Sequence, residues 1–117
     1  MPKVLIVDDD PGIAEIACTL LRAEGHQAQH LTSAADALAH LRLHKADLAI
    51  LDFDIAKREG LDLAEAICEQ PILDGCALIG VAFDLKDVDL ELVDLAVQKP
   101  YATGELGKVV ASVLRGA

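Results

Sequence analysis

The stretch Val4-Leu5-Ile6-Val7-Asp8-Asp9-Asp10-Pro11 places four apolar residues directly before three aspartates and a proline. An apolar run without alternation reads as a strand covered on both faces, here Lys3 to Val7. Three like charges repel one another where such a strand surfaces. They are either a solvated turn or a cation site, and the remainder of the chain decides between the two.

Outward from that strand the hydrophobic period changes. Ile13, Ile16, Ala17, Leu20 and Leu21 fall on one helical stripe over residues 13–24, and Gly25 supplies a stop. A weaker strand is expected at Gln27 to Leu31. Ser33 can cap a second helix whose buried side is Ala37, Leu38 and Leu41. The segment Asp47-Leu-Ala-Ile-Leu-Asp52-Phe-Asp54-Ile55 is a second buried strand ending in acids. Leu61 to Glu69 reads as a third helix, with Leu63, Ala64 and Ile67 inward. Strands are expected at Ala77 to Ala82 and Asp94 to Gln98. Thr103 is expected to cap a last helix with Leu106, Val109, Val110, Val113 and Leu114 on one face.

Strands that alternate with helices give a doubly wound parallel α/β sheet with helices on both faces. Such sheets bind ligands outside the carboxyl ends of their strands, where the strand order reverses. Asp8 to Asp10, Asp52 with Asp54, and Lys99 all follow strands at that edge. Acids at two strand ends that face a lysine from a third outweigh the reading of Asp8 and Asp9 as an acidic turn.

Bulk properties narrow the field. A chain of 117 residues that is 53% hydrophobic and 26% charged is one globular domain. Its formal net charge of −10 opposes phosphate backbones, so no direct nucleic-acid binding is expected. No apolar run approaches the roughly 20 residues that span a bilayer, and the N-terminus carries no signal segment, so a cytoplasmic protein without a membrane partner is expected. Cys18, Cys68 and Cys76 are scattered and read as reduced thiols.

Converging carboxylates call for a cation. Mg²⁺ suits them, because it takes a few carboxylates together with waters and phosphoryl oxygens. A carboxylate that also faces a lysine can act as a nucleophile toward phosphorus.

The segments "VLIVDDDP", "ADLAILDFDIAKREGLDL" and "LAVQKPY" together resemble the response-regulator receiver domain, the family of the bacterial chemotaxis regulator, over essentially residues 1–117. The resemblance implies a flavodoxin-like five-stranded sheet of order 2-1-3-4-5. It implies that Asp52 accepts a phosphoryl group and that Lys99 binds the phosphoryl oxygen. Asp9 would ligate Mg²⁺ directly, Asp8 through water, Asp52 by its carboxylate and Asp54 by its backbone carbonyl. Asp10 only extends the acidic turn, and the Lys99–Pro100 bond is expected to be cis. The implied donor is a sensor histidine kinase or a histidine phosphotransfer protein, and the output goes to a downstream protein of unknown identity.

The chain departs from the family where the family switches. Between Ser33 and Thr103 there is no Ser or Thr, and Ala82 stands where the family carries a hydroxyl at the end of strand four. Ala96 replaces the switch aromatic, and Ala56 replaces the usual loop proline. About 17 positions separate Ala82 from Lys99, so the fourth helix is expected to be short or missing. The alternative function is therefore a phosphorylation-independent pseudo-receiver that binds other proteins. An enzyme is not expected: "LAILDFDI" also resembles the D-x-D nucleophile motif of haloacid-dehalogenase-type phosphatases, but that motif normally opens the chain. No effector segment follows residue 115, so a stand-alone regulator or an excised receiver is expected.

Other residues are read blandly. His40 and His44, four apart, are solvent-facing residues near a helix C-terminus, where the dipole favours them, rather than metal ligands. The Asp54 side chain either tunes the site or faces solvent. Phe83 and Tyr101 are read as packing residues.

Overall fold

Successive residues of the first strand are all apolar because each face of the sheet has its own helical layer. Val4 and Ile6 join one core cluster, and Leu5 and Val7 join the other. The computed structural model describes residues 2–62 and 75–115. Its elements are β1 (Lys3–Val7), α1 (Pro11–Ala23), β2 (Gln27–Leu31), α2 (Ala34–Leu43), β3 (Leu48–Asp52) and α3 (Phe53–Arg58). They continue with β4 (Ala77–Ala82), a 3-10 turn (Leu85–Asp87), β5 (Leu95–Gln98) and α4 (Thr103–Leu114). Every strand pair is parallel, in the order β2-β1-β3-β4-β5. Val4, Ile6, Leu48, Ile50 and Ile79 pack with α1 and α4, while Leu5, Val7, Ala49 and Leu51 pack with α2 and α3. All five residues of β3 are buried, Asp52 included. No helix among the described residues is long and apolar enough to cross a membrane.

The expected third helix over Leu61 to Glu69 lies, from residue 63 onward, outside the described residues. Three other helices differ from expectation for local reasons. α1 begins at Pro11, not at residue 13, because the Asp10 side chain accepts from the amides of Gly12 at 2.9 Å and Ile13 at 3.2 Å. Its buried stripe is Ala14, Ala17, Cys18 and Leu21; Ile13, Ile16 and Leu20 are exposed. α3 stands where the apolar pattern of Phe53 and Ile55 suggests the end of a strand. It forms because the Asp52 carboxylate caps its first turn, with Asp54 at its N-terminal end and Lys57 and Arg58 at its C-terminal end, in accord with the helix dipole. In α4, Ala102 stands at the N-cap and Thr103 is the first helical residue, so the expected threonine cap is not formed.

Residues 83–94 hold the single 3-10 turn where a fourth helix was expected to be short or missing. Val88 from this segment is buried against the sheet, and Gly80 makes room for it. A Cβ at Gly80 would lie 2.7 Å from Val88 Cγ1, 3.0 Å from Phe53 Cε1 and 3.1 Å from Val93 Cγ1. Gly80→Ala should therefore overpack the sheet and lower the unfolding free energy by about 1–3 kcal/mol. Urea melts of Gly80→Ala and of the same variant with Val88→Ala check this. The second change should recover part of the loss, and a Gly80→Ala protein as stable as the parent would contradict the packing account.

Candidate functional site

The order reversal between β1 and β3 brings their carboxyl ends together, and β5 delivers Lys99 to the same edge. Asp52 (1% exposed) and Asp8 (6%) are the two buried charged residues among those described. A carboxylate as buried as Asp52 is strongly disfavoured unless both oxygens are engaged. Its Oδ1 accepts from the Asp54 amide at 2.9 Å and the Ile55 amide at 3.1 Å. Its Oδ2 accepts from the ammonium of Lys99. Burial raises the Asp52 carboxyl above its ordinary range, against the opposing pull of Lys99 and the two amides. Burial alone would depress Lys99, but the hydrogen bonds and charges of Asp52 and Asp54 outweigh it and raise the ammonium.

Lys99 is held in place from several sides. Its backbone N–H donates to Ala82 O at 2.8 Å, and its peptide bond to Pro100 is cis, as the resemblance implied. Its Nζ lies 3.3 Å from Asp54 Oδ2 and 4.7 Å above the Phe83 ring. Asp54 Oδ2 also accepts from the Phe83 amide at 2.9 Å, while Gln98 Nε2 donates to Phe83 O at 2.9 Å. The Asp54 side chain thus ties α3 to the end of β4.

On the β1 side, Asp8 Oδ1 accepts from the Asp10 amide at 2.9 Å, and Tyr101 Oη donates to Asp8 Oδ2 at 3.3 Å. Burial, with the nearby Asp8 charge, raises the tyrosine hydroxyl. Asp9 is partly exposed and meets Arg58, whose Nη2 donates to Oδ2 at 2.5 Å. That hydrogen bond, aided by the guanidinium charge, holds the Asp9 carboxyl below its ordinary range. A cleft of about 530 Å³ opens here, lined by Asp8, Asp9, Asp54, Lys99, Phe83 and Tyr101 among others, with Asp52 beneath it.

All five site residues expected from the sequence therefore meet at one edge. Asp10 does more than extend the turn, since it caps α1. Phe83 is exposed and belongs to the site rather than to the core, whereas Tyr101 lines the cleft and also packs against the α1/α4 core cluster, as expected of a packing residue. Arg58 was not anticipated, because an exposed arginine 49 positions from its partner carries no sequence signal. Tyr101, two residues past Lys99, had a positional one. His40 and His44 stack on each other at 4.7 Å between ring centroids. The partly buried Cys76 is equally quiet: burial pushes its thiol up to about 11, away from reactivity.

Among the described residues no three of His, Cys, Asp or Glu are grouped to hold a metal ion. Mg²⁺ does not require three, because it binds through one or two carboxylates with waters. An all-oxygen donor set at the mouth of an open cleft fits it, with Arg58 now resting on one of the acids.

The buried pair carries a pH signature. A carboxyl raised in the folded state takes up its proton there first. The stability it contributes is present in acid and is lost as pH rises through that raised value. Lys99→Met should remove the partner of a buried anion and destabilise the fold by about 3–5 kcal/mol near about pH 7. The deficit should shrink in more acidic buffer, as the raised Asp52 carboxyl takes up its proton. Urea melts at neutral and at acidic pH check this; a pH-independent deficit would show that Lys99 acts through packing alone.

Comparison with known proteins agrees with this geometry. The sequence profile described as "Response regulator receiver domain" matches residues 4–110. The heme response regulator HssR of Staphylococcus saprophyticus is 31% identical over 118 residues, covering 98% of this chain and 52% of that protein. The DNA-binding response regulator MtrA of Mycolicibacterium smegmatis is 31% identical over 119 residues, covering 97% and 50%. The chain thus spans about half the length of these relatives. The chemotaxis response regulator CheY4 of Vibrio cholerae superimposes with a TM-score of 0.82 at 20% identity, over 97% of this chain and 98% of that one. The parallel 2-1-3-4-5 sheet, the acid-lined edge and the profile over nearly the whole chain make this protein a member of the response regulator receiver domain family of two-component signalling.

Proposed function

We propose that Asp52 accepts a phosphoryl group from the phosphohistidine of a sensor histidine kinase or a histidine phosphotransfer protein. The observation that carries this reading is the buried Asp52 carboxylate paired with Lys99 directly beneath an acid-lined cleft. One carboxylate oxygen of Asp52 attacks phosphorus. The P–N bond breaks, and its electron pair returns to the imidazole of the donor. Oδ1 stays on the α3 amides, which fixes the carboxylate plane. Lys99, fully charged and held by Asp54 and Phe83, follows the charge onto the phosphoryl oxygens. Asp9, Asp8 through water, Asp52 and the Asp54 carbonyl would hold Mg²⁺, which supplies positive charge to the transferring group when bound. The exposed Ile13, Ile16 and Leu20 on α1, with Ile13 at the rim of the cleft, offer an apolar seat for the donor protein. The excess of acid argues for protein partners rather than nucleic acid at this domain.

The output differs from that of the family at large. Ala82, fully buried at the end of β4, has no hydroxyl to reach a phosphoryl group, and Ala96 has no ring to turn inward. A second reading, a pseudo-receiver that signals without phosphorylation, draws on that loss and on the arginine seated on Asp9.

Treatment with a small phosphodonor and Mg²⁺, followed by intact mass spectrometry, separates the two. The wild type should gain one phosphoryl mass, Asp52→Asn none, and Asp9→Asn far less at the same time point. An unmodified wild type, under conditions that label an ordinary receiver, would contradict the phosphoacceptor reading and support the pseudo-receiver.

A further inference from the structure

Residues 58 and 59 stand where α3 ends, and they reach in opposite directions. Arg58 Nη2 meets Asp9 Oδ2 in the loop after β1 at 2.5 Å. Glu59 reaches the start of α2. Its Oε2 accepts from the Ala34 amide at 2.7 Å, and its Oε1 accepts from Ser33 Oγ at 2.8 Å and from the Ala35 amide at 3.3 Å. The Glu59 carboxyl is lowered: the loss of hydration opposes this, but the amides of Ala34 and Ala35 and the Ser33 hydroxyl prevail. Gly60 follows with φ of +69°, a left-handed turn that fixes where α3 stops. The other end of α3 rests on Asp52. One six-residue helix is thus tied to the acceptor at its start, and to Asp9 and α2 at its end.

Building on the phosphoacceptor reading above, we propose that Arg58 is an internal cation seated on the metal-binding acid. A divalent ion must displace it, and the displacement loosens the hold of Glu59 on the N-terminus of α2. A guanidinium and a divalent cation neutralise the same carboxylate and repel each other, so they compete. The Arg58 side chain is 62% exposed, so it can leave Asp9 for water, and its departure releases the tie between the end of α3 and the loop after β1. Its backbone neighbour is Glu59, so the end of α3 cannot move without changing the distance from Glu59 to Ala34. The start of α2 then reports what occupies Asp9, by a route that uses neither a β4 hydroxyl nor a β5 aromatic.

The probe is Mg²⁺ alone, titrated into wild type, Arg58→Gln, Arg58→Lys and Glu59→Gln. Calorimetry reads affinity, and amide NMR reads residues 9, 34 and 35. An exposed ion pair is weak, so Arg58→Gln should bind Mg²⁺ only about two- to fivefold more tightly than wild type. Arg58→Lys, which keeps the charge, should stay near the parent. In wild type the Ala34 and Ala35 signals should shift with the same midpoint as Asp9. In Glu59→Gln they should no longer follow the metal, although it still binds. Equal affinity in wild type and Arg58→Gln, or immobile 34 and 35 signals in Mg²⁺-saturated wild type, would overturn the proposal. If Asp52 is still labelled by a phosphodonor in that case, the phosphoacceptor reading stands and only the Arg58–Glu59 coupling falls. Mg²⁺ binding by none of the four proteins would remove the Arg58–Glu59 coupling and the metal-dependent part of that reading together.

Discussion

A carboxylate buried to 1% exposure at the end of a central strand is the constraint around which the site is arranged. Left alone, Asp52 would be protonated or would unfold its surroundings. The fold answers with two amides from the helix that Asp52 itself caps and with an ammonium carried in on β5. Each of those partners needs another element. The ammonium needs Asp54 and the Phe83 ring, the ring needs the Gln98 bond to its carbonyl, and Asp54 needs the Phe83 amide. One charge therefore adds a chain of side-chain ties across the ends of β3, β4 and β5, on top of the backbone ladder that pairs them.

That charge also explains how an acid-rich chain tolerates such an edge. Two of its few cations are spent there, Lys99 on Asp52 and Arg58 on Asp9, while Tyr101 and the Asp10 amide cover Asp8. The two ion pairs are not equivalent. Lys99 is largely buried and couples to the core, whereas the Arg58 pair faces solvent and is easily exchanged. A tight cation beside Asp52 and a loose one beside Asp9 give the site one fixed half and one adjustable half.

The architecture was legible because its signals are periodic or positional. The unbroken apolar runs of β1 and β3 could only be strands covered on both sides, and acids at their ends with Lys99 after β5 located the site. What sequence reading missed arises from choices that tertiary packing makes. α1 turned its small residues Ala14, Ala17 and Cys18 inward and left Ile13 and Ile16 to solvent, because small side chains let the helix lie close to the sheet. α3 was mistaken for strand because Phe53 and Ile55 fit either period, and the Asp52 cap decides between them. The Arg58–Asp9 pair spans elements with no periodic relation, so only the assembled fold could reveal it. The short connection over residues 83–94 was anticipated from its length, and Gly80 supplies the space that makes it workable.

The central claim is that occupancy of Asp52 is felt through α3 and the loops it ties together, not through the connection between β4 and β5. Amide shift mapping with Mg²⁺ and beryllofluoride, which mimics a phosphoryl group on the carboxylate, tests it most directly. The account predicts changes concentrated at residues 8–10, 33–35, 52–60 and 99–101, with residues 85–96 close to their starting positions. A coordinated rearrangement centred on residues 85–96, with 33–35 and 58–60 unmoved, would contradict it.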